Sequence, residues 1–361
     1  MKNLTIFICF SMAVVLMYAC NRKYYTVEDF QKVRKIDAHV HLDSENPDLA
    51  EIAKEDNFRL IANTIDFDGI ASIEKQNSIS RKLRKQFPDN VSYITAFAFE
   101  TRDSTGWAEA ANTRLKDDFE DGAIGVKIWK NVGMTFKDSL GRFILVDNPV
   151  LDPVIKFIIS QNKTLLAHIG EPKNCWLPIS EMTVGNDRDY YTKNPEYHMY
   201  LHPECPSYEQ LITARDNFVE RHPDLRFVGA HLGSLEWNVD ELANRLDKYP
   251  NMAVDLTDRI CHLQLQSITD WKRIYNFIMK YQDRLIYGTD FTNYETTDPA
   301  KAKAGWHQVW LNDWKYFVTD SVMTDTRVAG KFKGLKLPKT VVDKIYFGNA
   351  VNWYKLNENE R

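Results

Sequence analysis

Ile36-Asp37-Ala38-His39-Val40-His41 decides how this chain is read: a short β-prone run that closes on two histidines. Side chains alternate faces along a strand, so His39 and His41 are expected to point the same way, with Asp37 deeper on that face. Four later runs end in the same manner. They are Gly125-Val126-Lys127, Leu165-Leu166-Ala167-His168, Phe227-Val228-Gly229-Ala230-His231 and Ile286-Tyr287-Gly288-Thr289-Asp290. When parallel strands close into a barrel, their C-terminal ends converge on one mouth. Three strands ending in histidine, one in lysine and one in aspartate therefore predict a single metal site.

Strand-like runs lie at 36–41, 59–66, 91–99, 123–129, 164–169, 226–231, 251–255 and 285–290, the number a closed barrel needs. Helix-like stretches fall between them, among them 69–86 and 207–221, an alternation that argues for βαβ units and a parallel sheet. The expected fold is α/β, a (β/α)8 barrel occupying 36–361, with a long insertion after the fifth strand. That insertion, roughly 170–206, reads as irregular; it follows a strand C-terminus and is expected to lie over the mouth as a lid, with a second irregular stretch, 129–148, covering the other side. Trp306, Trp310 and Trp314 recur at helical spacing and are expected to pack against the barrel. A chain of 361 residues has room for such a barrel, typically about 250 residues plus insertions.

A formal charge of −4 gives no electrostatic footprint for nucleic acid. Lys2 followed by an apolar stretch from Leu4 to Ala19 is too short for an ordinary membrane span and reads as an export signal over residues 1–20. Its end, Ala19-Cys20-Asn21, resembles a bacterial lipoprotein signal. This implies lipidation of Cys20, a tether over 21–35, and an exported protein touching the membrane only through its anchor. Cys175, Cys205 and Cys261 remain, with no close pairs and no C-x-x-C spacing; three free thiols are expected.

Imidazole and carboxylate donors suit zinc, and also manganese, iron, nickel or cobalt. Asp255, closing Met252-Ala253-Val254, is a candidate for orienting a metal-bound histidine. Trp129, Lys130 and Asn131 follow Lys127 directly and are candidate substrate contacts, as are Arg188, Tyr191, His198 and His202 in the insertion. His222 and His262 read as surface histidines. No nucleophile-elbow, P-loop or dinucleotide motif is present.

Asp37-Ala38-His39-Val40-His41, Ala167-His168, Ala230-His231-Leu232-Gly233 and Gly288-Thr289-Asp290 together resemble the amidohydrolase superfamily, specifically its amidohydrolase-related branch of TIM-barrel metal-dependent hydrolases. Phe347-Gly348-Asn349-Ala350 looks like the turn into that branch's last helix. The resemblance spans about residues 36–352. It implies that His39, His41 and His168 are metal ligands, and that Asp290 is a ligand that also moves the proton of water. His231 becomes either a second-metal ligand or a group polarising the substrate. Lys127 is, by the same resemblance, either a carboxylated bridge between two metals or a free amine; an outward structural lysine is the third possibility. The implied activity is hydrolysis of an amide, ester or lactone of a small molecule, with one or two divalent metals, most simply zinc. Two alternatives stand beside it: a metal-dependent non-oxidative decarboxylase of the same branch, and a non-enzymatic ligand-binding surface lipoprotein. A homo-oligomer is compatible with all three.

Overall fold

In the computed structural model, residues 23–295 and 298–356 are described; the expected export segment and Cys20 lie outside them. The parallel strands are β1 (Lys35–His41), β2 (Phe58–Asn63), β3 (Val91–Ala96), β4 (Gly125–Ile128), β5 (Thr164–Ala167), β6 (Arg226–Gly229), β7 (Met252–Asp255), β8 (Leu285–Ile286) and β9 (Phe291–Thr292). They form one curled sheet in the order β8-β7-β6-β5-β4-β3-β2-β1-β9, consistent with a TIM-barrel-like fold. The eight expected runs are all found, each within a few residues, and the eighth is split in two. Its two pieces bond to opposite neighbours. Leu256 N donates to Ile286 O at 2.8 Å on the β7 side, while Ala38 N donates to Tyr287 O at 3.0 Å and Asp290 N to His39 O at 2.8 Å on the β1 side.

The helices Gly69–Gln86 and Tyr208–Arg221 form as expected. The second begins at a reciprocal cap: Ser207 Oγ accepts from Gln210 N, and Gln210 Oε1 accepts from Ser207 N. Ile36, Ala38, Ile61, Ile94, Leu166, Val228, Ala253 and Ile286 face inward and share a core with Ala350, Val351 and Tyr354. The helix Asn349–Tyr354 thus closes the end of the sheet opposite the site, and the Asn349 amide bonds the Leu285 carbonyl at 2.7 Å. Trp310 and Trp314 are fully buried against the strands from the helix Pro299–Val318.

Three expectations need correction. Strand β1 is not regular: its register with β2 shifts between Asp37 and Val40. Such a bulge resets the alternation of faces. Ile36 and Ala38 point inward and Val40 outward, so the Asp37 side chain lies on the other face from the His39 ring and meets His39 only at its backbone N, 3.3 Å away. Its carboxylate accepts from Thr289 N at 3.0 Å, Thr289 Oγ1 at 2.7 Å and Trp310 Nε1 at 2.9 Å. Second, the described part of the expected tether is packed onto the fold: Phe30 is buried, Trp314 Nε1 donates to Thr26 O at 3.0 Å, and Tyr24 bridges to Pro338. Third, 170–206 is not irregular. It folds into short helical pieces, the longest Gly185–Lys193, around Cys175, Met182, Tyr191 and Met199.

No helix among the described residues is long and apolar enough to cross a membrane. Cys175, Cys205 and Cys261 are all free thiols.

Candidate metal centre

The C-terminal ends of β1, β4, β5, β6, β7 and the β8–β9 segment bring the expected residues together. His39 is fully buried; its Nε2 lies 2.6 Å from Lys127 Nζ and 3.3 Å from Asp290 Oδ1. His41 Nε2 lies 3.2 Å from the same Asp290 oxygen. The His231 ring centroid is 5.1 Å from that of His39 and 4.2 Å from that of His168. Donor atoms of His39, His231 and Asp290 all fall within 4.8 Å of one another.

Local backbone makes this convergence possible. A Cβ on Gly288 would meet Thr257 Oγ1 at 2.4 Å and His39 Cβ at 2.9 Å, so the last strand can approach β1 only through a glycine. Asp290 follows with φ 70°. After β6, His231, Leu232, Gly233 and Ser234 all have φ near 60°. Non-glycine residues rarely adopt this left-handed conformation, and such strain gathers at functional sites.

Asp255 ties the centre together. Its Oδ2 lies 2.8 Å from His39 Nδ1, and its Oδ1 accepts from His231 N at 2.7 Å and Thr257 N at 3.2 Å. A carboxylate at Nδ1 holds that nitrogen's proton and leaves the Nε2 lone pair facing the cluster. His231 is set in the same way: Nδ1 lies 3.0 Å from the Thr257 carbonyl, and the buried Nε2 has no protein partner.

Burial holds His39 and His231 below the usual imidazole range, aided by Lys127 beside the first and His168 beside the second; it brings His168 down to about 4. Burial works against the Asp290 carboxylate, yet His231, His41 and His39 around it hold it well below the usual range. Neutral imidazoles and an ionised carboxylate are the forms that bind a divalent cation. The unpaired Nε2 of His231 and the chemistry of the donor set both fit one.

Lys127 is buried and points into the cluster, not outward. Burial lowers its amine to about 8, against the pull of Asp290 and Asp255. A lysine depressed on folding binds fewer protons folded than unfolded between pH 8 and 10.5, so its cost is full below pH 8 and fades as pH rises through that window. Lys127→Met should stabilise the metal-free protein at pH 7 by up to about 3 kcal/mol. That gain should shrink towards pH 10.5, the ordinary value of the free amine. Urea midpoints at pH 7 and pH 10 check this, and a gain independent of pH would refute it.

Outside this cluster, a cavity of about 500 Å³ opens beside His41 and Thr292. Phe67, Trp129, Tyr190, Tyr197 and Tyr294 supply its aromatic walls, and Lys75 and Lys130 its cations. Trp129 and Lys130 are thus where substrate contacts were expected. Asn131 is not: its amide is spent on the Asp66 carbonyl at 2.6 Å. The expected contacts in the insertion are structural. Arg188 bonds the Met182 carbonyl, His198 that of Leu177 and His202 that of Pro195, while Tyr191 is buried. His222 and His262 are buried rather than exposed; His262 Nε2 lies 3.3 Å from Asp187. Glu171 was missed. It is buried, paired with Lys130, and 3.5 Å from His168 Nε2, and its signal was a carboxylate three residues past a strand-end histidine. A cavity of about 530 Å³ between the helices Gly69–Gln86 and Trp107–Glu120 lies on the outer flank and contains none of these residues.

The amidohydrolase family model matches residues 95–356. A search of curated protein sequences found no match. Among solved structures, 2,6-dihydroxybenzoate decarboxylase from Rhizobium is similar in fold, with 15% identity, 89% of this chain and 98% of that chain covered, and a TM-score of 0.51. A 5-carboxyvanillate decarboxylase from Novosphingobium aromaticivorans, complexed with manganese and 4-hydroxy-3-methoxy-5-nitrobenzoic acid, shows 11% identity, coverage of 91% and 97%, and a TM-score of 0.51. The matched span covers most of the chain and all of the cluster except β1, and on that match the chain belongs to the amidohydrolase family.

Proposed function

We propose that this chain is a metal-dependent lyase that removes the carboxylate of a small aromatic acid. The observation that carries this reading is the cavity beside His41, with five aromatic side chains and two lysines. Aromatic walls hold a planar ring, and ammonium groups attract its carboxylate. Decarboxylases among the fold neighbours, one of them holding manganese, support the reading by analogy.

His39, His41, His168 and Asp290 would hold the cation, with His231 a further donor or a group facing substrate. When bound, the cation supplies Lewis-acid polarisation of a substrate oxygen. Lys75 faces the anion, Lys130 being paired with Glu171, and Trp129 and Tyr197 flank the ring. Asp290, ionised at rest and close to His39 and His41, would take a proton from solvent and pass it to the ring carbon that bears the carboxylate. The bond to the carboxylate carbon then breaks, its electron pair returns to the ring, and CO2 leaves.

Hydrolysis is the second reading, and the ionised Asp290 favours it: the same carboxylate would take a proton from attacking water and hand it to the leaving group. Incubating metal-loaded protein with hydroxybenzoates and, separately, with lactones and amides separates the two. CO2 release without incorporation of solvent oxygen is the expected result; solvent oxygen in an acid product would establish the hydrolase instead. The N-terminal segment adds the proposal of export and lipid attachment at Cys20, zinc or manganese being the metals to test first.

A further inference from the structure

We infer that Glu171 is a positioning residue of the metal centre, acting through His168. This rests on the metal-centre reading above. The three imidazoles at the ends of β1, β5 and β6 share one arrangement. Each has one ring nitrogen facing an oxygen: His39 faces Asp255 Oδ2 at 2.8 Å, His231 faces the Thr257 carbonyl at 3.0 Å, and His168 faces Glu171 Oε2 at 3.5 Å.

An oxygen acceptor at one nitrogen keeps the proton there and leaves the other as a donor for a cation. For His39 and His231 the tethered nitrogen is Nδ1; for His168 the nitrogen nearest the acid is Nε2. His168 Nε2 is buried and has no hydrogen bond at its present geometry, and Glu171 is the acid facing it. A shift of about 0.5 Å would bring the pair into hydrogen-bonding range.

The carboxylate is itself held for this task. Glu171 is 4% exposed, and Lys130 grips its other oxygen. Lys130 Nζ also stands 5.2 Å from the Tyr197 ring and 5.6 Å from the Trp129 ring, in the wall of the mouth cavity. A buried carboxylate engaged by one cation and one imidazole has a fixed orientation, which a mobile surface acid lacks. Lys130 and Glu171 therefore link the cavity that receives the substrate to the β5 ligand.

The test uses the full chain and cobalt(II), zinc and manganese alone as probes. Glu171→Met removes the acceptor, Glu171→Gln keeps an acceptor without the charge, and Asp187→Asn alters another buried carboxylate of the same insertion, one that faces His262 instead. Metal affinity by chelator competition should fall about 10- to 100-fold in Glu171→Met and recover in part in Glu171→Gln. The cobalt(II) absorption spectrum should shift in Glu171→Met and stay unchanged in Asp187→Asn. Wild-type affinity and spectrum in Glu171→Met would overturn the inference. Equal losses in Glu171→Met and Asp187→Asn that track thermal stability would also overturn it, by making Glu171 a prop for the insertion alone. A wild-type chain that binds none of the three metals would instead sink the metal-centre reading on which it rests.

Discussion

Asp290→Asn is expected to reduce turnover by about 1000-fold or more, the scale of losing a positioned proton-transfer group, and to weaken metal binding at the same time. Asp290 Oδ1 sits 3.3 Å from His39 Nε2 and 3.2 Å from His41 Nε2, so one carboxylate faces both histidines of β1. Asparagine is the informative replacement. The residue at 290 has φ 70°, and asparagine tolerates that left-handed conformation better than most side chains. The backbone bond from Asp290 N to His39 O does not depend on the side chain, so the β1 contact survives. What disappears is the negative charge. Turnover and metal content measured on the same sample check this. Activity within tenfold of wild type would show that Asp290 neither carries the proton nor holds the cation.

The second large effect is expected at Asp255, which touches no substrate. Asp255→Asn keeps one acceptor oxygen for the His231 and Thr257 amides but can place an NH2 group opposite His39 Nδ1. That nitrogen then has to accept, and the proton of the neutral ring moves to Nε2, the atom facing Lys127 and Asp290. A ring protonated at Nε2 has no lone pair to offer there. Metal affinity should fall about 10- to 100-fold with the fold retained. Asp255→Ala should be worse, because it leaves buried donors without partners, at a cost of roughly 1–3 kcal/mol for each. Chelator competition and urea unfolding of both variants give the comparison. Unchanged metal affinity in Asp255→Asn would remove it from the centre.

The contrast between Asp255 and Asp37 shows how far one sequence carries this argument. Both are carboxylates near a strand end. Its place closing Met252-Ala253-Val254 singled out Asp255, which does meet His39. Period-two alternation placed Asp37 deeper on the His39 face and failed, because a bulge that no residue in the run announces turns it towards Thr289 and Trp310. The strand order and the convergence of His39, His41, Lys127, His168, His231 and Asp290 were legible because each closes an apolar run. The walls of the cavity were only partly so. Trp129 and Lys130 directly follow a strand, but Tyr190 and Tyr197 reach the mouth through a compact insertion whose fold depends on contacts with the rest of the molecule. The left-handed turn from His231 to Ser234 was equally hidden, since only one of its four residues is a glycine.

The most direct test of the central claim is the divalent-metal content of the purified chain, by elemental mass spectrometry, for wild type and for a variant combining His39→Ala with Asp290→Asn. Wild type should carry at least one ion per chain after incubation with zinc or manganese and removal of the excess, and the double variant should carry none while remaining folded. A folded wild-type chain that retains neither metal, or a double variant that retains as much as wild type, would contradict the account.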